Sequence, residues 1–266
     1  MQETIFITGA STGLGKATAK LFQSKGWHVI ATMRHPENET ELTQLENITV
    51  LKLDVTDPDQ IKETVSKAIE LHAIDVVLNN AGYGLIGPLE TVTDEQLKRQ
   101  FETNVFGTIR VTQAFIPYFR EKKKGLFVTT TSIAGLIGLP LNSIYNATKW
   151  ALEGWSEGLA FELNELGIKI KTIAPGGIKT DFAGRSLDTT QHEAYTELAN
   201  KLYNGFDPDT FTSAEVIAEQ VYQAITGDKD TLRYVAGADA QTLYDRRLQI
   251  GNEAFRKETH QFYFGS

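Results

Sequence analysis

Tyr145 and Lys149 stand four residues apart in a segment patterned as a helix, a spacing that puts both side chains on one face. A phenol is a weak acid, with an ordinary pKa of about 10. A cation beside it favours the phenolate and lowers that value. A tyrosine so placed can exchange a proton with an oxygen whose charge is changing, as happens when a hydride moves onto or off a carbonyl carbon. Taken alone, a Tyr-x-x-x-Lys pair is ordinary helix surface, and its meaning depends on what accompanies it.

What accompanies it begins near the start of the chain. An apolar run ends in Thr8-Gly9-Ala10-Ser11-Thr12-Gly13-Leu14-Gly15. Glycines there permit a tight turn and a close approach of backbone to a pyrophosphate, and the helix that follows aims its free N–H groups at the anion. Gly9, Ser11, Thr12, Gly13, Leu14 and Gly15 are therefore the phosphate-binding candidates. Their Gly-x-x-x-Gly-x-Gly spacing differs from the longer-chain dinucleotide fingerprint. Roughly 20 residues on, where a carboxylate would meet an adenosine ribose, the chain reads Ala31-Thr32-Met33-Arg34. The contact position, Met33, carries no acid, and Arg34 follows it. A guanidinium presents a fork of donors to a 2′-phosphate, so NADP(H) is preferred over NAD(H).

These residues need a frame, and the pattern supplies one. Apolar runs at Thr4–Thr8, Trp27–Thr32, Thr49–Leu53, Ile74–Leu78, Leu126–Thr130 and Ile168–Ile173 read as buried strands. Helical segments lie between them: Gly15–Lys25, one entered at Asp57-Pro58, Asn104–Lys122 and Ser143–Leu166. Alternation of this kind predicts an α/β Rossmann fold, a doubly wound parallel sheet of about seven strands with helices on both faces. Ligands of such sheets bind beyond the carboxyl ends of the strands, where the singled-out residues fall. Past Pro175 the stretch 176–212 is polar and irregular, with one helix around Gln191–Tyr203, as expected of a functional loop. Ser213–Thr226 reads as a capped helix, Leu232–Val235 as a last strand and Ala238–Ile250 as a last helix.

The bulk properties narrow the function. Acidic residues outnumber basic ones, 34 to 26, for a net charge of -8. Binding a phosphate backbone needs a concentrated basic surface, and the only basic cluster is the helix end Arg120–Lys124. Nucleic acid is not an expected partner. The absence of cysteine removes disulfides, thiolate metal sites and a thiol nucleophile together, and no metal site is expected. With no secretory segment and no membrane-length apolar run, a cytoplasmic protein is expected.

In order along the chain stand the Thr8–Gly15 loop, Asp54-Val55, Asn79-Asn80-Ala81-Gly82, Asn104, Ser132, Tyr145-x-x-x-Lys149 and Pro175-Gly176 followed by Thr180. This series resembles the short-chain dehydrogenase/reductase family in its compact form, over nearly the whole chain up to about Asp181. The resemblance implies a single Rossmann-type domain over 1–266. Within it, 1–181 would be the cofactor-binding and catalytic core and 182–266 a substrate loop and C-terminal extension. It implies that Asp54 and Val55 contact the adenine, that Asn80, Ala81 and Gly82 flank the cofactor, and that Pro175, Gly176, Ile178 and Thr180 hold the nicotinamide end. It makes Asn104, Ser132, Tyr145 and Lys149 the catalytic set: Ser132 holds the substrate oxygen, Lys149 also bonds the nicotinamide ribose, and Asn104 holds a water in a proton relay. Read from the residues alone, Asn104 begins a helix as its N-cap. Both roles are compatible.

The implied activity is hydride transfer between NADP(H) and a carbonyl or secondary alcohol. Leu136, Ile137, Leu139, Leu141, Phe182 and Leu187 suggest a mainly apolar pocket. Lys179 and Arg185 are read as solvated. Lys149-Trp150-Ala151-Leu152-Glu153-Gly154 is similar in wording to the steroid and retinol dehydrogenase branch. The tail aromatics Phe255, Phe262, Tyr263 and Phe264 are expected to pack in the core, the alternatives being packing against a neighbour or folding over the pocket, and a homodimer or homotetramer is expected from the family. Competing accounts are a nucleotide-sugar epimerase or dehydratase, an NADP(H)-binding regulatory protein, and an acyl-carrier-linked ketoacyl reductase. The first lacks its second lobe, the second has no need of a proton donor, and the third would want a basic patch.

Overall fold

The computed structural model describes residues 2–179, 186–204 and 211–265. Its centre is β1 (Thr4–Ile7), whose four side chains are all buried. Ile5 and Ile7 face one layer of helices and Phe6 the other, because successive strand residues point to opposite faces. Both layers are apolar, so the strand reads as one continuous hydrophobic run.

Around it the chain alternates α1 (Gly13–Ser24), β2 (His28–Met33), β3 (Ile48–Lys52), α2 (Pro58–Leu71), β4 (Val76–Asn79) and the short β5 (Gly84–Ile86). Then come α3 (Asp94–Phe101), a π-helical turn (Glu102–Gly107), α4 (Thr108–Lys122), β6 (Gly125–Thr130), α5 (Ser143–Leu163) and β7 (Ile168–Pro175). The remainder comprises β8 (Ile178–Lys179), β9 (Leu187–Thr189), α6 (Thr196–Asn204), β10 (Thr212–Ser213), α7 (Ala214–Thr226), β11 (Arg233–Ala236), α8 (Ala238–Ile250) and α9 (Asn252–Phe264). The main sheet has seven strands in the order β3-β2-β1-β4-β6-β7-β11, every pairing parallel. Leu14, Phe22, Ile217 and Val221 of α1 and α7 cover one face. On the other, Ile61, Val65, Phe115, Phe119, Leu159 and Leu163 bring in α2, α4 and α5.

The local signals explain the boundaries. Asp57 caps α2 by accepting from the N–H groups of Asp59 and Gln60, both at 3.0 Å, with Pro58 in the first turn. Ser213 caps α7.

Two expectations are corrected. The helix read as Asn104–Lys122 continues an earlier one that starts at Asp94, where Thr93 and Gln96 form a reciprocal capping box. Asn104 is therefore no N-cap; it lies inside the π turn, and the buried Thr108 hydroxyl donates to its carbonyl at 3.0 Å. Ala238–Ile250 is not the last helix, since Gly251 at φ +80° turns the chain into α9.

The tail aromatics divide. Phe255 is buried against Leu136, Ile137 and Ala240, whereas Phe262 is 77% exposed, contrary to the core packing expected of it. No helix among the described residues is long and apolar enough to cross a membrane.

Candidate active site

The sheet order places the ends of β1, β4, β6 and β7 side by side, and the singled-out residues follow them. Ser132 comes directly after β6, and its hydroxyl accepts from the Ala134 N–H at 3.1 Å, so a short helical turn fixes its position. Tyr145 sits in the first turn of α5 and Lys149 one turn on. The Lys149 ammonium lies 5.7 Å from the centre of the Tyr145 ring. Buried Lys149 donates to the Thr130 carbonyl at 3.0 Å.

The electrostatics differ from the simple expectation. Burial raises the Tyr145 phenol above its ordinary value, with the Ser132 hydrogen bond pulling the other way. Lys149 does not supply the lowering expected of it; burial instead takes its own pKa down to about 8, opposed by the negative charge of Glu153. A lysine that gives up its proton there is neutral before the phenol titrates, which accounts for the difference.

Asn104 joins the group through the π turn. Its amide donates to the Tyr83 carbonyl at 2.9 Å and to the Thr148 hydroxyl at 3.3 Å, while its oxygen accepts from the Tyr83 N–H at 3.0 Å. One extra residue in the turn aims this side chain inward, the usual effect of a π turn near a functional site. Gly82 lies between: a Cβ there would stand 3.2 Å from Asn104 Oδ1 and 3.9 Å from Lys149 Nζ.

The glycine loop is fastened to the end of β4. The Thr8 hydroxyl accepts from the N–H groups of Asn80 and Ala81 at 2.9 and 3.0 Å, and the Asn80 amide donates to the carbonyls of Thr8 and Gly9 at 3.2 and 3.1 Å. Asn80 thus serves as a strut of the cradle. Gly9 adopts φ +67°, with any Cβ only 2.8 Å from Ala81 Cα. The loop fits a nucleotide pyrophosphate: Thr12 makes no side-chain cap and the first turn of α1 holds no acid, so the helix N-terminus is left electropositive.

Met33, at the end of β2, is buried in the core, and Arg34 beyond it is exposed. The segment carrying Arg34 is held to α1 by Glu39. This buried carboxylate accepts from Lys16 Nζ at 3.1 Å and from the N–H groups of Glu41 and Leu42 at 2.8 and 2.9 Å. Asp54 folds back on its own turn, accepting from the N–H and hydroxyl of Thr56 at 2.9 and 2.8 Å; the buried Val55 packs against Gly107.

After β7, the turn from Pro175 is pinned by α8. Asp239 accepts from the Gly177 N–H at 2.8 Å and fills the space that a Cβ on Gly176 would need. Ile178 pairs with Thr212. Thr180, Phe182 and Arg185 lie outside the described residues. Of the expected pocket residues, Leu136 and Ile137 are buried against α8 and α9, while Leu187 pairs with Gly84.

Three groups escaped the sequence reading. Glu153 is a buried carboxylate on the same face of α5 as Tyr145 and Lys149. Its four-residue spacing from Lys149 was the available signal. Glu39 offered no periodicity to betray it. Arg99, which stacks on Tyr83 and pairs with Asp188, ties α3 to β9.

Residues 3–191 match the family model described as short chain dehydrogenase. An uncharacterized oxidoreductase of Schizosaccharomyces pombe is 42% identical over 236 residues, which are 88% of this chain and 100% of that protein. A 3-ketodihydrosphingosine reductase of Bacteroides thetaiotaomicron is 36% identical over 199 residues, 73% of this chain and 72% of the relative. Among solved structures, ElxO with NADP bound superposes with a TM-score of 0.76 at 28% identity, covering 91% of this chain and 100% of its own.

Proposed function

The chain belongs to the short-chain dehydrogenase family of oxidoreductases, and from that premise we propose an NADP(H)-dependent enzyme that interconverts a carbonyl and a secondary alcohol on a mainly apolar substrate. The convergence of Ser132, Tyr145, Lys149 and Asn104 beyond β6, opposite the Gly9–Gly15 cradle, carries this reading. When bound, the nicotinamide supplies or accepts the hydride. The N–H groups opening α1 bind the pyrophosphate, and Arg34 meets the 2′-phosphate. Lys149 holds the ribose, and Asn104 keeps a water in line with it. Ser132 orients the substrate oxygen, and Tyr145 gives that oxygen a proton during reduction or removes one during oxidation. Burial keeps the phenol protonated at neutral pH, the state from which it can donate.

NADP(H) is supported by Arg34 and by the NADP carried in the ElxO structure. An apolar keto substrate is supported by the leucine-rich segment after β6 and by the relative named a 3-ketodihydrosphingosine reductase. The test is a parallel fluorescence titration with NADPH and NADH, followed by a panel of apolar ketones and aldehydes. Tighter NADPH binding is expected, with turnover on the panel. Tyr145→Phe is expected to lose at least about 100-fold in turnover at unchanged NADPH affinity. Full turnover in Tyr145→Phe, or no binding of either nucleotide, overturns the proposal.

A further inference from the structure

Tyr145, Lys149 and Glu153 follow one another at four-residue intervals along α5. The Glu153 carboxylate is 3% exposed and fully engaged. Oε1 accepts from the Thr131 hydroxyl, the residue before Ser132. Oε2 accepts from the Thr172 hydroxyl of β7 at 3.2 Å and from Arg233 Nε of β11 at 2.7 Å. The turn that carries Ser132 also rests directly on this face of α5: a Cβ on Gly135 would stand 2.8 Å from the Lys149 carbonyl oxygen and 3.2 Å from Glu153 Cγ. One carboxylate thus joins β7, β11 and the turn after β6 around the residues assigned above to proton transfer.

We propose that Glu153 is a positioning residue of the catalytic centre, joining the Ser132 turn, the Lys149 face of α5 and the edge strand β11 into one unit, with Arg233 as its counter-ion. The proposal rests on the role given to Ser132, Tyr145 and Lys149 in the proposed function. Its electrostatic side follows from sharing. Glu153 is the charge that acts on Lys149, opposing the effect of burial. Glu153 in turn faces Arg233, behind which stand Glu157 of α5 and Tyr244 of α8. Toward Tyr145 and the π turn, Lys149 meets a phenol, the Thr130 carbonyl and the neighbourhood of Asn104, none of them charged at neutral pH. A carboxylate divided between two cations supports each less than it would alone. Deleting Glu153 and deleting Arg233 must therefore move Lys149 in opposite directions, which no merely structural defect would do.

The test is an NMR titration of the full chain labelled with 13Cε-lysine, the Lys149 signal being assigned by its loss in Lys149→Arg. The wild-type midpoint is expected at about 8. Glu153→Gln is expected to lower it by about 0.5–1 pH unit, Arg233→Gln to raise it by a similar amount, and the double variant to return it near the wild-type value. Thr131→Val removes the hydroxyl's bonds to Glu153 and to the Ile173 carbonyl and leaves the charges in place. It should keep the wild-type midpoint while losing roughly 10- to 100-fold in turnover on the ketone panel. An unchanged or raised midpoint in Glu153→Gln, or single variants shifting the same way, overturns the proposal, as does full turnover in Thr131→Val. The NMR readout needs no substrate. If the midpoints move as stated in a chain that binds no nucleotide, the functional reading fails and the coupling through Glu153 stands.

Discussion

Gly9→Ala is the substitution whose cost the structure specifies most fully. Residue 9 lies at φ +67°, a conformation that costs an L-residue about 1–2 kcal/mol. The added methyl would also stand 2.8 Å from Ala81 Cα and 3.1 Å from Ala81 N, both backbone atoms. Relieving that overlap pushes the loop away from the end of β4, at about 1–3 kcal/mol for overpacking. Gly26 separates the two contributions. It sits at φ +86° with no atom within 4 Å of where a Cβ would stand, so Gly26→Ala carries the conformational cost alone. Gly9→Ala should therefore lose about 2–5 kcal/mol and Gly26→Ala about 1–2 kcal/mol. At roughly 2–4 °C per kcal/mol, Tm should fall by about 4–20 °C in the first and about 2–8 °C in the second. Thermal unfolding by circular dichroism measures both, and NADPH titration well below either Tm measures the cradle. Only Gly9→Ala should bind NADPH at least about 10-fold more weakly, because only there do the phosphate-facing N–H groups move. Equal Tm losses in the two variants, or wild-type NADPH affinity in Gly9→Ala, would refute the steric reasoning.

Two further predictions concern charge. Arg34→Ala should weaken NADPH about 10- to 100-fold, the worth of a charge-assisted hydrogen bond, and leave NADH binding nearly unchanged in the same titration; equal losses for both nucleotides would remove Arg34 from the 2′-phosphate. At the opposite end of the sheet His28 and His72 face each other with ring centres 4.6 Å apart, and burial, helped by His28, holds His72 below its ordinary value of 6.5. A folded value below the unfolded one means stability present above about pH 6.5 and lost as the pH falls from there through the folded value. The drop in Tm between pH 7.5 and pH 5.5 should thus be smaller in His72→Gln than in the wild type, and an identical drop would contradict the pairing.

How much of this was legible beforehand depended on the kind of signal. The strands announced themselves as apolar runs because a parallel sheet covered on both faces demands side chains that are apolar on both, as Ile5, Phe6 and Ile7 are. Tyr145, Lys149 and Ser132 could be placed beyond the sheet because strand ends are countable. The helix before Asn104 starts at Asp94, where Thr93-x-x-Gln96 spells a capping box and Leu97, Phe101 and Val105 already follow a helical spacing, so its start was legible and was missed. The π turn has no local signature: it arises from tertiary contacts to Tyr83 and Thr148, distant in sequence. Glu39 and Glu153 escaped for a shared reason: the cations that pair with them, Lys16 and Arg233, come from other elements, 23 and 80 residues away in sequence.

The π turn also constrains how this chain can tolerate changes of length. A helix advances by about 100° per residue, so gaining or losing one residue rotates everything downstream by that angle. In α4 such a rotation would swing Val111, Phe115 and Phe119 out of the core and bring polar neighbours in. The wide turn at Glu102–Gly107 absorbs a residue and lets α3 and α4 each keep its own register. A one-residue deletion there would favour a plain α-helix and force a choice between the inward aim of Asn104 and the packing of α4. Length variation along this lineage is accordingly expected in the surface connections, with the segment from Asp94 to Lys122 inherited at constant length.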